Sequence, residues 1–190
     1  MANAKPIAVL VGSLRKESFN RKMARALAAL APPSLDLQIV EIGDLPHYNQ
    51  DLDPDHPPAA WVEFRQRVGA ADGVLFVTPE YNRSVPGVLK NAIDVGSRPY
   101  GKSVWSGKPA AVVSVSPSAI GGFGANHHLR QSLVFLDMPA MQQPEAYIGG
   151  ADKLFAADGS IANPSTQEFM GKFLAAFERW VGRHAKAAAS

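Results

Sequence analysis

Between Gly12 and Asn20 the chain reads Gly-Ser-Leu-Arg-Lys-Glu-Ser-Phe-Asn, placing the side chains of Ser13, Arg15, Ser18 and Asn20 within eight positions. Two hydroxyls, a carboxamide and a guanidinium are short-range donors suited to a tetrahedral anion, and Arg15 can meet two of its oxygens at once. The loop follows the apolar run Ile7–Val11 and leads into an alanine-rich amphipathic stretch ending near Leu30. A strand that breaks at glycine and enters a helix offers the helix's free N–H groups and its positive end to a phosphate. The Gly-x-x-x-x-Gly-Lys-Ser/Thr pattern is absent, and Gly12 lacks the later glycines of Gly-x-Gly-x-x-Gly. The inventory therefore suits a terminal monophosphate better than a nucleoside triphosphate or a dinucleotide. Ser18 or Asn20 serving only as a helix cap is the competing use of the same oxygens.

Two further loops carry ligand-binding chemistry. Thr78-Pro-Glu-Tyr-Asn-Arg-Ser-Val-Pro-Gly87 holds an aromatic ring, a carboxamide and backbone amides between two prolines that restrict the chain. That inventory offers an apolar wall and polar-edge partners for a flat heteroaromatic ligand. Taken alone, Tyr81 also fits a half-buried structural anchor. Ser116-Pro-Ser-Ala-Ile-Gly-Gly-Phe-Gly124 is small and glycine-rich, as a backbone that approaches a ligand, or a simple strand-to-helix turn, would be.

These loops need a scaffold that brings them together. Strands are expected over Ile7–Val11, Leu35–Ile42, Gly73–Thr78, Ala110–Ser116 and, more weakly, Met141–Ile148. Helices are expected over Asn20–Leu30, Ala59–Ala70, Pro86–Val95, Gly124–Phe135 and Ser165–His184. Alternating strands and helices, with near-continuous apolar strands, indicate an α/β doubly wound parallel sheet of five strands with helices on both faces. In such sheets ligands sit beyond the carboxyl ends of the strands, where the loops after the first, third and fourth strands converge. The 190 residues, 46% of them hydrophobic, suffice for one domain and are short for two, so residues 1–190 are expected to form a single domain. The tail Ala185–Ser190 is expected to fray.

A formal net charge of +2 with scattered basic residues gives no footprint for nucleic acid or an anionic membrane. With no cysteine, disulfides, thiolate nucleophiles and cysteine-ligated metals are excluded, and redox chemistry must come from a bound cofactor. No apolar run suggests a secretory signal or membrane insertion, so the cytoplasm is the expected compartment. His47 and His56 share a loop with Asp51, Asp53 and Asp55, without compact metal-ligand spacing, and a solvated surface loop is expected there. His127 and His128 are adjacent on a helix and face different directions.

Gly12-Ser-Leu-Arg-x-x-Ser-x-Asn20, Pro79-Glu-Tyr-Asn-x-Ser-x-Pro-Gly-x-Leu-Lys-Asn-Ala-Ile-Asp94 and the later Gly121-Gly…His128-Leu-Arg-Gln…Val-Phe-Leu-Asp137 resemble the NAD(P)H-dependent FMN reductase family, in the branch of bacterial soluble quinone and chromate reductases. The resemblance runs from Ile7 to Ile148. It implies a flavodoxin-like fold, non-covalent FMN, NADPH or NADH as co-substrate, a small-molecule electron acceptor, and a homodimer or homotetramer with the flavin near a subunit interface. Carried over by position, Ser13, Arg15, Ser18, Phe19 and Asn20 hold the FMN phosphate, Phe19 through its backbone. Pro79, Glu80, Tyr81 and Asn82 line the isoalloxazine, and Ser116 flanks it. Chemistry supplied by the flavin requires no acid–base dyad from the protein, and no catalytic side chain is assigned. Two departures stand at the expected substrate mouth: Val95-Gly96 where relatives often carry Trp and a bulky apolar residue, and Arg83 where an aromatic or small residue is usual. Arg98 and Tyr100 follow the same helix and are candidates to reach the same mouth or a neighbouring subunit, with ordinary loop solvation the equal alternative, and Arg130 and Glu145 are candidates for interface ion pairs. Quinones, chromate, azo compounds and free flavin all suit an open flavin face. The alternative function is an FMN-binding electron carrier or sensor that does not oxidise nicotinamide.

Overall fold

The structure, a computed structural model, describes residues 4–53 and 56–184. Asp55 and the tail 185–190 lie outside the described residues. Five strands, β1 (Lys5–Val11), β2 (Leu35–Ile39), β3 (Gly73–Thr78), β4 (Ala110–Val115) and β5 (Ala146–Ile148), form one parallel sheet in the order β2-β1-β3-β4-β5. Helices α1 (Phe19–Leu30), α2 (Ala59–Ala70), α3 (Gly87–Gly96), α4 (Phe123–Phe135) and α5 (Pro164–His184) cover both faces. This is the flavodoxin-like order, with its reversal between β1 and β3.

The strand sequences explain the two layers. Successive residues point to opposite faces, so strands covered on both sides must be apolar throughout. Ile7, Val9, Val11, Leu75, Val77, Val113 and Val115 pack with Met23 and Leu27 of α1 and Phe173 and Phe177 of α5. Ala8, Leu10, Phe76 and Val112 face the other way, onto Trp61 and Phe64 of α2, Leu89 and Ile93 of α3, and Leu129 and Leu133 of α4.

Two strands are shorter than their apolar patterns suggest. β2 ends at Ile39, after which the Val40 N–H makes one more bond to the Val9 carbonyl and the chain leaves the edge. Val40 and Ile42 continue the apolar pattern because they are buried on the α2 side, without extending the ladder. β5 begins at Ala146, since Pro144 has no N–H to contribute to pairing. Its upstream neighbour Ala140 makes an isolated bridge to Ala110. Val95 and Gly96 lie in the core: a Cβ at Gly96 would stand 2.4 Å from the indole of Trp105, whose Nε1 donates to the Ile93 carbonyl at 2.9 Å. That departure from the family pattern therefore makes room for Trp105 and does not shape a substrate mouth.

The loop after β2 is less solvated than its composition suggests. Asp53 is buried and accepts two bonds from the Arg65 guanidinium, at 2.8 and 3.0 Å, while Arg65 Nε donates to the Val95 carbonyl at 2.9 Å. The Tyr48 hydroxyl donates to Asp53, and Asn91 Oδ1 accepts from the Tyr48 N–H at 2.8 Å. Burial and the Asp53 charge raise the Tyr48 hydroxyl above its ordinary range. The loop is thus bolted to α2 and α3. Removing one member of a buried ion pair leaves the other desolvated and uncompensated, so Asp53→Ala is expected to lower stability by about 3 kcal/mol, read from the urea midpoint at unchanged slope.

Candidate functional site

The three loops singled out by their residues meet at the carboxyl ends of β1, β3 and β4. Gly12 donates its N–H to the Val77 carbonyl at 2.9 Å. A Cβ at Gly12 would lie 2.9 Å from Thr78 Oγ1 and 3.2 Å from Pro79, so the first loop presses on the second where only glycine fits. Asn20 ties the first loop to β4: its Nδ2 donates to the Val115 carbonyl at 3.2 Å.

At the start of α1, Ser18 is the N-cap and its Oγ accepts from the Arg21 N–H at 3.1 Å. Capping and ligand binding are compatible here, because the hydroxyl accepts from the helix and keeps its own proton to donate. Phe19 and Asn20 open the helix with N–H groups that no earlier helical carbonyl satisfies. Arg15 is exposed, its guanidinium 5.9 Å from the Phe19 ring centroid, with no carboxylate partner among the described residues. Ser13 is buried, and its side chain makes no hydrogen bond among the described residues. Asn20 Oδ1 is also buried and has no hydrogen-bond partner. An orphaned acceptor of this kind costs about 1–3 kcal/mol unless a donor reaches it. The donors fit a phosphate, and the orphaned acceptor fits a hydroxyl on the chain that carries it.

In the second loop, Tyr81 and Ser84 exchange backbone bonds of 3.1 and 3.0 Å around Asn82 and Arg83, whose φ values are +51° and +63°. Two consecutive left-handed residues are the signature of a type I′ turn, usually Asn-Gly, and here arginine occupies the glycine position. Tyr81 is 47% exposed, and its ring and hydroxyl have no partner among the described residues, so it is available to a planar ligand. Pro79 is half-buried and Asn82 is exposed.

Glu80 has a structural role that its residue type alone did not reveal. Its Oε2 accepts from the Ala125 N–H in the first turn of α4 at 3.1 Å, where the helix end favours negative charge, and its Oε1 accepts from Arg83 at 3.1 Å. The carboxylate is a strut between the second loop and α4. In the third loop the Ser116 N–H donates to the Ile148 carbonyl at 2.9 Å and its Oγ accepts from the Ser118 N–H. Gly121 and Gly122 take positive φ, and a Cβ on Gly121 would overlap the Tyr147 backbone at 2.6 Å.

His127 and His128 do diverge, the first to the Tyr147 hydroxyl at 2.9 Å and the second to Ser84 Oγ at 3.0 Å. The described residues contain no group of three His, Asp or Glu able to hold a metal. Arg130 is engaged within the chain, donating to Asn126 Oδ1 and the Met141 carbonyl. Phe123, His127 and Tyr147 form an aromatic cluster beside the third loop that sequence spacing did not disclose, since Tyr147 comes from β5. A cleft of about 550 Å³ lies between α3 and α4 and borders the second loop through Ser84, with Ile93, Arg98, His128 and Phe135 among its walls.

The open α/β sheet thus gathers, beyond the carboxyl ends of its strands, a donor-rich helix start and an exposed tyrosine beside it, in the flavodoxin-like arrangement. Residues 6–153 match the family described as NADPH-dependent FMN reductase, and the chain belongs to that family. Its cofactor is FMN and its co-substrate a reduced nicotinamide. The chain is 66% identical over 181 residues to a quinone reductase of Pseudomonas putida, covering 95% of this chain and 97% of that protein. It is 49% identical over 175 residues to a 2-hydroxy-1,4-benzoquinone reductase of a Burkholderia species, covering 92% and 95%. Among solved structures, the flavoenzyme NAD(P)H:(acceptor) oxidoreductase FerB of Paracoccus denitrificans superposes with a TM-score of 0.91 at 45% identity, covering 96% of this chain and all of that one.

Burial, then the hydrogen bond to Glu145 and that carboxylate's charge, push the Tyr147 hydroxyl up to about 12, with Arg130 opposing. A phenol whose folded value lies above its unfolded value of 10.0 contributes stability that is present below that value and lost as pH rises toward about 12. Tyr147→Phe is therefore expected to flatten the alkaline loss of stability between about pH 10 and 12, measured by denaturant unfolding of both proteins across that window.

Proposed function

We propose that the chain transfers reducing equivalents from NADPH or NADH to quinones, and that its FMN is held by the three loops described above. Ser13, Arg15, Ser18, Asn20 and the Phe19 backbone take the phosphate, and Asn20 Oδ1 accepts from a hydroxyl of the ribityl chain. Pro79, Tyr81 and Asn82 wall the ring, with Ser116 at its far edge and Glu80 keeping the wall in place. The single observation that carries the assignment is the buried, unpartnered Asn20 Oδ1 at the start of a helix whose other free groups are all donors. FMN supplies the hydride and electron chemistry when bound. The protein's part is to fix the ring, leave one face open to two successive substrates and exclude water behind it. No side chain on the described loops is required to move a proton. The names of the Pseudomonas putida and Burkholderia relatives favour quinones over the other acceptors that an open ring face admits. No helix among the described residues is long and apolar enough to cross a membrane, and a cytoplasmic enzyme drawing on the nicotinamide pool is the consistent reading.

Reconstitution with FMN followed by anaerobic NADPH or NADH tests this. A flavin spectrum that bleaches with nicotinamide and returns with a quinone is the expected result, and Asn20→Ala is expected to weaken FMN binding about tenfold by deleting one buried hydrogen bond. Stoichiometric FMN that neither nicotinamide bleaches would make the protein a carrier or sensor, and an absence of FMN binding would overturn the three-loop site.

A homodimer, or a tetramer built from it, belongs to the same reading. Phe135 at the end of α4 is 89% exposed and Tyr100 beyond α3 is 93% exposed, and Phe135 rims the α3–α4 cleft. Phe135 lies next to Val134, itself 78% exposed, and contiguous exposed apolar side chains mark association surfaces. Sedimentation equilibrium is expected to give a mass at least twice the 20.3 kDa chain, with Phe135→Asp shifting the protein toward monomer. A monomeric wild type would refute this.

A further inference from the structure

We propose that Arg83 selects acceptors bearing a negative charge, so that among quinones the enzyme favours anionic ones. The inference rests on the FMN site proposed above and adds a specificity residue to it.

Three observations converge on Arg83. The first is its conformation: it sits at φ +63° in the position of a type I′ turn that glycine occupies without strain. An L-residue held there costs stability, and such costs collect at sites where the side chain has a use. The second is its presentation. Glu80 holds one guanidinium nitrogen at 3.1 Å, yet the Arg83 side chain is 71% exposed while that of Glu80 is only 11% exposed. A Cβ at Gly124 would come within 2.9 Å of both the Arg83 carbonyl and Glu80 Oε2, so the turn lies hard against α4. The head group is thus anchored at one edge and offered at the other, two residues from the Tyr81 ring.

The third observation is the charge around it. From Gly12 to the end of α1, from Pro79 through α3, and from Ser116 through α4, the carboxylates are Glu17, Glu80 and Asp94. Each is already committed: Glu17 to Lys22 at 3.0 Å, Glu80 to Arg83 and the α4 N-terminus, and Asp94 to Lys90 at 2.6 Å. Arg15 and Arg98 have no carboxylate partner among the described residues. With Arg15 committed to the phosphate, the mouth retains positive charge with no free carboxylate on these segments to repel an anion. Such a surface draws anionic ligands and gives way to salt. A ring stacked beside Tyr81 and carrying a sulfonate, carboxylate or ionised hydroxyl would place that group within reach of Arg83.

The test compares a naphthoquinone with the same ring carrying a sulfonate, titrated into oxidised, FMN-loaded wild type, Arg83→Gly and Arg83→Lys. Dissociation constants are read from the perturbed flavin absorbance, without turnover. Arg83→Gly is expected to bind the sulfonated ring about fivefold more weakly and the neutral ring unchanged. Arg83→Lys should fall between, and the wild-type preference should shrink with added salt. Glycine relieves the turn while the nearly buried Glu80 loses one partner and keeps the Ala125 N–H, so a cooperative thermal transition close to that of wild type is expected and separates lost recognition from lost folding. Equal binding of both rings by wild type and Arg83→Gly, or equal weakening of both, would overturn the proposal. In a parallel titration with NADP⁺ and NAD⁺, a loss confined to NADP⁺ with both quinones bound as by wild type would also overturn it, assigning Arg83 to the nicotinamide phosphate. Failure of the wild type to take up FMN would instead sink the site on which the proposal rests, and its flavin spectrum reports that separately.

Discussion

A parallel sheet buried on both faces leaves function only one place to go. Every strand residue from Ile7 to Val11, Val74 to Val77 and Ala110 to Val113 is in the core, so none of these side chains can serve a ligand. The backbone must then emerge at the carboxyl ends, and the reversal of strand order between β1 and β3 sends α1 and α3 to opposite faces, opening a crevice between their first turns. The donor-rich first loop, the second loop with its exposed tyrosine and the glycine-rich third loop all follow from that constraint. Their chemistry differs because each loop leads into a different helix, and the start of each helix has a different partner.

Those partners divide the work. The positive end of α1 is left to Ser18, two free N–H groups and whatever anion arrives. The positive end of α4 is already met by Glu80, so α4 binds the second loop in place of a ligand. α3 begins at Gly87 behind Pro86, whose missing N–H removes one donor that would otherwise need a partner. One helix start is open and another is closed by the protein itself, and this asymmetry is what the proposed phosphate site at α1 rests on.

Much of this was legible in the sequence, for reasons that also mark where legibility ends. Periodicity places the strands because burial on both faces demands it, and the donor-rich Gly12–Asn20 stretch stands out because such side chains are costly to assemble without a use. Residues whose roles depend on contacts distant in the chain were not legible. The strut that Glu80 makes to α4 cannot be read from its place in the ring-lining motif, and Asp53 reads as solvated until Arg65 is found 2.8 Å away. Gly96 reads as an altered mouth until Trp105 fills the space above it. Asn20 combines both cases: its type marks the loop, while its bond to Val115, 95 residues away, and its unpartnered oxygen require the fold.

That unpartnered oxygen bears on energetics as well as identity. Native interiors rarely leave a buried acceptor without a donor, and the seat around it holds donors without acceptors: Ser13, Arg15, and the first N–H groups of α1. A fold that leaves complementary groups unsatisfied at one location is less stable alone than with the molecule that satisfies them, and binding to the native state alone stabilises by mass action. The same loop also bridges β1 and β4 through Asn20, so a ligand that orders it tightens the connection between two central strands. On the proposed assignment, cofactor affinity and stability are two readings of one set of contacts at the start of α1.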